Sequence, residues 1–155
     1  MKTRVIICLD GCSPEYLSDG ETPNLDAIAG GGFHGIGEAV VPTVTNVNNT
    51  SIITAGFPES HGITTNYLLD PVTGRECYME SAEYLLTRTA FRHLADRGMK
   101  TCLLTAKDKL KSLIRDGATL AESAERPSER LVGRIGAAPG IYTIEVNHWL
   151  LRAAR

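Results

Sequence analysis

Apolar and polar positions fall into short blocks along this chain, and the period of the blocks changes several times. Residues 5–9 (VIICL) form a continuous apolar run between Arg4 and Asp10–Gly11, the pattern of a strand buried on both faces of a parallel sheet. Thr22 followed by Pro23 predicts a helix start, and TPNLDAIA then stops at Gly30, Gly31 and Gly32. Residues 33–41 alternate loosely and predict a second strand leading to Pro42. From Thr45, a polar Thr/Asn run passes into SIITA and Gly56, which predicts a helix that stops at the glycine ahead of Pro58.

Residues 57–70 (FPESHGITTNYLLD) carry the Pro, Gly and Asn punctuation of an irregular loop. The turn signal DPVTG at 70–74 predicts a hairpin running on to Glu76, Cys77 and Tyr78. Residues 89–97 predict an amphipathic helix with Ala90, Phe91, Leu94 and Ala95 on one face and Gly98 at its end; KTCLLT at 100–105 predicts the strand that follows. Helix and strand together make an α/β crossover unit. Beyond Gly117 the pattern weakens. Residues 119–129 are rich in Ala and Glu with a break at Pro127, residues 131–135 fit a short strand or helix, 140–146 a strand, and HWLLRAAR a short helix.

Composition adds limits. At 155 residues and 43% hydrophobic the chain can build one domain with a real core, and a net charge of -2 gives no reason to expect nucleic acid or an anionic membrane as partner. No window holds the eighteen or so apolar residues of a membrane span, and the apolar run near the start meets Asp10 too soon for a secretory signal. The four cysteines, Cys8, Cys12, Cys77 and Cys102, form no Cys-x-x-Cys pair. Cys8 and Cys102 fall inside expected strands and are expected to be buried. These features together predict a cytoplasmic protein.

Several residues carry candidate chemistry. Thr45 stands at the start of a helix, where unpaired amides and the helix dipole welcome an anion; the alternative is that Thr43 or Thr45 merely caps the helix. Asp10, at the carboxyl end of an expected strand, is placed to hold a metal or to begin a turn with Gly11. Asn66 offers an amide donor to an oxyanion or a turn former. His61 more readily fixes its loop by hydrogen bonds than ligates a metal. Lys107 and Lys109 lie two apart after a strand, and could face one ligand only across the loop and first turn of a helix. His93 reads as a solvated surface histidine, and Glu145 with His148 is too sparse a pair for a metal site.

Taken together, VIICLDG, TPNLDAIAGGG, PTVTNVNNTSIITAGFPESHGITTN and LLTAKDKLKSLI resemble the amino-terminal half of the alkaline phosphatase superfamily, over most of residues 4–117. The resemblance is strongest to the phosphonoacetate hydrolase branch, with nucleotide pyrophosphatases/phosphodiesterases as near relatives; the paired lysines of TAKDK favour the former. It implies an α/β fold, an alkaline-phosphatase-like core with a mostly parallel sheet flanked by helices, incomplete in this chain. It further implies two zinc ions, with Asp10 as ligand of one and Thr45 as a nucleophile that also touches metal. Asn66 would bind a non-bridging oxygen on phosphorus, and Lys107 and Lys109 the anionic groups of a small phosphonate or phosphate-ester substrate. The implied reaction is cleavage of the carbon–phosphorus bond of phosphonoacetate.

The family draws its other zinc ligands from Asp-x-x-x-His, Asp-His and a further His, and residues 118–155 contain neither Asp motif and only the isolated His148. The expectation is therefore residues 1–117 as the amino-terminal part of a catalytic domain, 118–155 as a divergent or truncated tail, and family identity without competent catalysis. The alternatives are a phosphodiesterase/nucleotide pyrophosphatase and a non-catalytic anion-binding fragment. A homodimer is one assembly state consistent with this reading.

Overall fold

The helix that begins at Thr45 is held by a small core rather than by its own periodicity. A computed structural model describes residues 3–155, and the chain divides into two compact units, residues 1–39 and 40–155.

In the first unit the regular elements are α1 (Glu15–Ser18) and α2 (Pro23–Gly31). Pro23 opens α2 as its sequence predicts, because the missing proline N–H is one the first turn would leave unpaired anyway. The strands expected at 5–9 and 33–41 do not form: both segments lack ladder pairing among the described residues. Val5 (74% exposed), Ile6, Ile7, Leu9, Phe33 and Ile36 all lie open to solvent. Strand propensity is realised only against a neighbouring strand, and an all-apolar run needs cover on both faces.

The second unit contains α3 (Thr45–Thr54), α4 (Pro58–His61), β1 (Tyr67–Leu69), β2 (Glu76–Tyr78), a 3-10 turn (Ala82–Tyr84) and α5 (Ala90–Ala95). These are followed by β3 (Cys102–Thr105), α6 (Asp108–Ile114), β4 (Leu120–Ser123), α7 (Glu129–Ile135) and α8 (Glu145–Ala153). β1 and β2 pair antiparallel, with Tyr67 opposite Tyr78. β3 and β4 pair parallel, from Cys102 opposite Leu120 to Thr105 opposite Ser123, with α6 as the crossover. Such a crossover is what a parallel pair requires.

Two apolar clusters hold these elements. Val47, Ile63, Met79, Leu110, Leu113 and Ile114 form one, joining α3, the loop after α4, the residue that follows β2, and α6. Ala124, Leu131, Val146 and Trp149 form the other, which binds α7 and α8; the Trp149 indole donates to the Gly136 carbonyl at 3.0 Å. The strand expected at 140–146 does not form: residues 140–144 are irregular and turn, and α8 begins at Glu145, with Val146 and Trp149 buried on one helix face. Cys8 and Cys102 are exposed, contrary to their expected burial. No helix among the described residues is long and apolar enough to cross a membrane.

Candidate active site

The start of α3 is made by polar side chains folding back on the first turn. Val44, in extended conformation, takes the N-cap position and Thr45 is the first helical residue. The N-cap position is thus neither Thr43 nor Thr45, the two residues the alternative reading offers for it. Instead the Asn49 amide donates to the Thr45 carbonyl at 2.9 Å, and Asn48 donates its amide to the Val44 carbonyl while accepting from the Val40 N–H at 3.1 Å. The amides of Asn46 and Val47 precede the first backbone bond of the helix, Asn48 N–H to Val44 carbonyl at 3.0 Å, so the positive end of the dipole opens at Thr45. Ala55 ends the helix in the left-handed region at φ 51°, one residue before the glycine that the sequence nominates as the stop.

His61 links α3 to the segment that carries Asn66. It is completely buried; its Nδ1 accepts from the Ile63 N–H at 3.1 Å and its Nε2 lies 2.9 Å from the Ser51 hydroxyl. Both ring nitrogens are engaged, and burial pushes the imidazole pKa below its ordinary value. Gly62, at φ 82°, has no room for a Cβ, which would sit 2.7 Å from the Leu86 side chain. Asn66 itself is exposed, and its carbonyl accepts from the Met79 N–H at 2.9 Å at the mouth of the β1–β2 hairpin.

The hairpin brings Lys109 to the same place. Tyr67 and Tyr78, paired across the ladder, make a tilted ring contact with centres 4.1 Å apart and planes at 40°, and share a hydroxyl–hydroxyl hydrogen bond. The Lys109 ammonium lies 4.2 Å from the centre of the Tyr78 ring and 2.6 Å from a Glu80 carboxylate oxygen. Hydrogen bonding to Glu80 raises the Lys109 pKa, keeping it cationic. Lys107 is the N-cap of α6 and sits 5.9 Å from the Tyr142 ring centre. The two ammonium groups thus have different neighbours, one on the hairpin and one at the loop before α8. Asp108 between them is tied to Lys111 and accepts from the Ser123 hydroxyl at 2.7 Å; burial raises its pKa, and these hydrogen bonds outweigh that and lower it.

Thr45, Asn66, Lys107 and Lys109 belong to the second unit, whose α3 and α6 share one core. Asp10 lies in the first unit, at a turn with Gly11 at φ 72°. Among the described residues, no group of three His, Cys, Asp or Glu side chains is gathered as metal ligands. A zinc ion takes about four ligands, so these residues do not fit the two-zinc centre implied by the resemblance. Ser51, Glu80 and the two tyrosines were not singled out in the sequence. The alternation of the hairpin strands holds the signal for Tyr67 and Tyr78, whereas no local pattern announces Glu80.

Residues 4–125 match the type I phosphodiesterase/nucleotide pyrophosphatase family. The chain belongs to that family. An uncharacterized pyrophosphatase/phosphodiesterase of Schizosaccharomyces pombe is 41% identical over 76 residues, 48% of this chain and 16% of the relative. Ectonucleotide pyrophosphatase/phosphodiesterase family member 3 of Rattus norvegicus is 33% identical over 82 residues, covering 51% of this chain and 9% of that protein. Phosphonoacetate hydrolase from Sinorhizobium meliloti, solved in complex with phosphonoacetate, superposes with a TM-score of 0.85 at 32% identity. Its phosphonoformate complex gives 0.84 at 33%. Each covers 95% of this chain and 40% of the solved one. The α/β architecture is therefore the alkaline-phosphatase-like fold of these neighbours, and this chain spans well under half of their length.

Proposed function

We propose that this chain carries the nucleophile and phosphorus-binding part of a hydrolase of the phosphonoacetate type. The observation supporting this reading is the likeness to phosphonoacetate hydrolase across 95% of the chain, with Thr45 as the first residue of α3. The overall reaction is phosphonoacetate plus water to acetate plus phosphate. The Thr45 oxygen bonds to phosphorus as the phosphorus–carbon bond breaks; the electron pair leaves with the acetate carbon, which takes a proton. Water then cleaves the phosphothreonine and restores the hydroxyl. Asn66 donates to a non-bridging oxygen, the first turn of α3 faces the anion, and Lys107 and Lys109 hold the phosphonate and carboxylate charges.

A threonine hydroxyl is scarcely ionised at neutral pH, and the described residues do not assemble a metal centre to change that. The chain by itself is therefore expected to bind phosphonoacetate without turning it over. Calorimetric titration with phosphonoacetate, alongside a phosphate-release assay with added zinc, tests both halves. Absence of binding would overturn the substrate assignment, and sustained release would overturn the claim that this chain lacks a competent centre.

The second reading is a phosphodiesterase or nucleotide pyrophosphatase, favoured by the half-exposed aromatic faces of Tyr67 and Tyr78, on which a planar base can pack. Lys109→Ala separates the two: phosphonoacetate binding should fall about tenfold or more, corresponding to loss of a charge-assisted contact, while binding of a nucleoside monophosphate falls less.

A further inference from the structure

His61 is a buried imidazole with no part in the proposed chemistry, yet its hydrogen bonds connect the two segments that do take part. Nδ1 accepts from the Ile63 N–H, so that nitrogen carries no proton in the neutral ring. The proton therefore sits on Nε2 and is donated to the Ser51 hydroxyl. The His61 carbonyl accepts from the Leu86 N–H at 3.1 Å, and Ile63 packs in the same cluster as Val47, two residues after Thr45. Asn66 follows Ile63 by three residues. The ring thus stands between the middle of α3 and the segment leading to the hairpin, with no water-exposed surface through which it could be re-solvated.

We infer that His61 is a positioning residue: neutral, with its proton on Nε2, it ties the helix that begins with Thr45 to the segment that ends at Asn66. The inference rests on the proposed roles of those two residues. An imidazolium would present a second donor to the Ile63 N–H, and the bond would have to open. The hydrogen-bond partners of the ring, the Ser51 hydroxyl and the Ile63 N–H, carry no charge to hold the cation. α3 contains no titratable side chain; Glu59 on α4, Glu83 within the 3-10 turn and His93 on α5 are exposed, Tyr84 is neutral, Arg88, beyond Leu86, is paired with Asp96, Arg92 on α5 with Asp116, and Lys109 and Lys111 on α6 with Glu80 and Asp108.

The test uses the whole chain labelled with ¹⁵N. Ring nitrogen shifts should show the Nε2–H tautomer at pH 7.5. As the pH falls below about 6.5, the ordinary histidine value, the Asn66 side-chain amide and the Thr45 backbone amide should move with the midpoint of His61. Ser51→Ala, which leaves the ring in place, should shift the same Asn66 and Thr45 signals and weaken phosphonoacetate binding about fivefold to tenfold, the usual worth of one hydrogen bond. Ser51→Thr should restore both. If the wild-type chain binds no phosphonoacetate but the signals still follow His61, the proposed substrate fails and the positioning role stands. If Asn66 and Thr45 stay still through the His61 titration and in a folded Ser51→Ala chain, the positioning role is overturned whatever the chain binds.

Discussion

Gly117 shows how tightly one position can be specified. It adopts φ 82°, and a Cβ there would lie 2.3 Å from the backbone of Arg92. The close approach is fixed from both sides: the Thr89 hydroxyl donates to the Asp116 carbonyl at 2.6 Å, and the Arg92 guanidinium forks onto the Asp116 carboxylate. Gly117→Ala should therefore cost roughly 2–4 kcal/mol, combining backbone strain with overpacking, measurable as a loss in denaturant midpoint. Ala55 is the opposite case. It holds φ 51° with a Cβ in place, so Ala55→Gly should gain up to about 1 kcal/mol, seen as a higher melting temperature. Neither requirement is visible in the sequence, where both residues lie among ordinary turn signals. Left-handed backbone is set by what packs alongside, and that information is not local.

Among the elements, the hairpin was legible and the parallel pair only half so. DPVTG fixes the β1–β2 turn because the Asp70 carboxylate accepts from the Val72 N–H at 2.8 Å and Gly74 takes φ 67°, roles that Asp and Gly fill in turns generally. β3 was readable from its apolar run. β4 (LAES) is short and polar at its end, and becomes a strand because β3 lies beside it. The site follows the same division. Thr45, Asn66, Lys107 and Lys109 could be nominated from motifs, but the partners that hold Lys109 come from the hairpin register. Glu80→Gln should lower the Lys109 pKa toward the ordinary lysine value, followed through its side-chain carbon shifts with pH. The change in stability should be small, because the lysine end of the pair is half-exposed and screened by solvent.

For the whole molecule, the exposed surface is 11176 Å². Large apolar side chains at Val5, Ile6, Phe33, Ile36 and Val41 are exposed. Hydrogen exchange should therefore differ within one chain: amides of 5–9 exchange rapidly, while those of β3, paired in a ladder, are protected. Acid should act on the fold in one direction. Hydrogen bonding to Arg92 lowers the Asp116 pKa, and Asp108 is also lowered. For such carboxylates, stability is present above the unfolded value near 4 and lost as the pH falls through the folded one. His61, also lowered, binds its proton more readily when unfolded, so its contribution declines below about 6.5. Thermal melts between pH 8 and 3 should show a decline beginning near pH 6.5 and steepening below 4, with the first phase absent in His61→Gln.

The outward position of Cys8 turns it into a chemical reporter. It lies in the apolar run that lacks a ladder, and partial desolvation with Asp10 nearby raises its thiol pKa. A maleimide footprint taken above pH 8 should modify it in the isolated chain. If another polypeptide covers residues 5–9, the same thiol falls silent, so one mass measurement distinguishes a chain standing alone from one that has found cover.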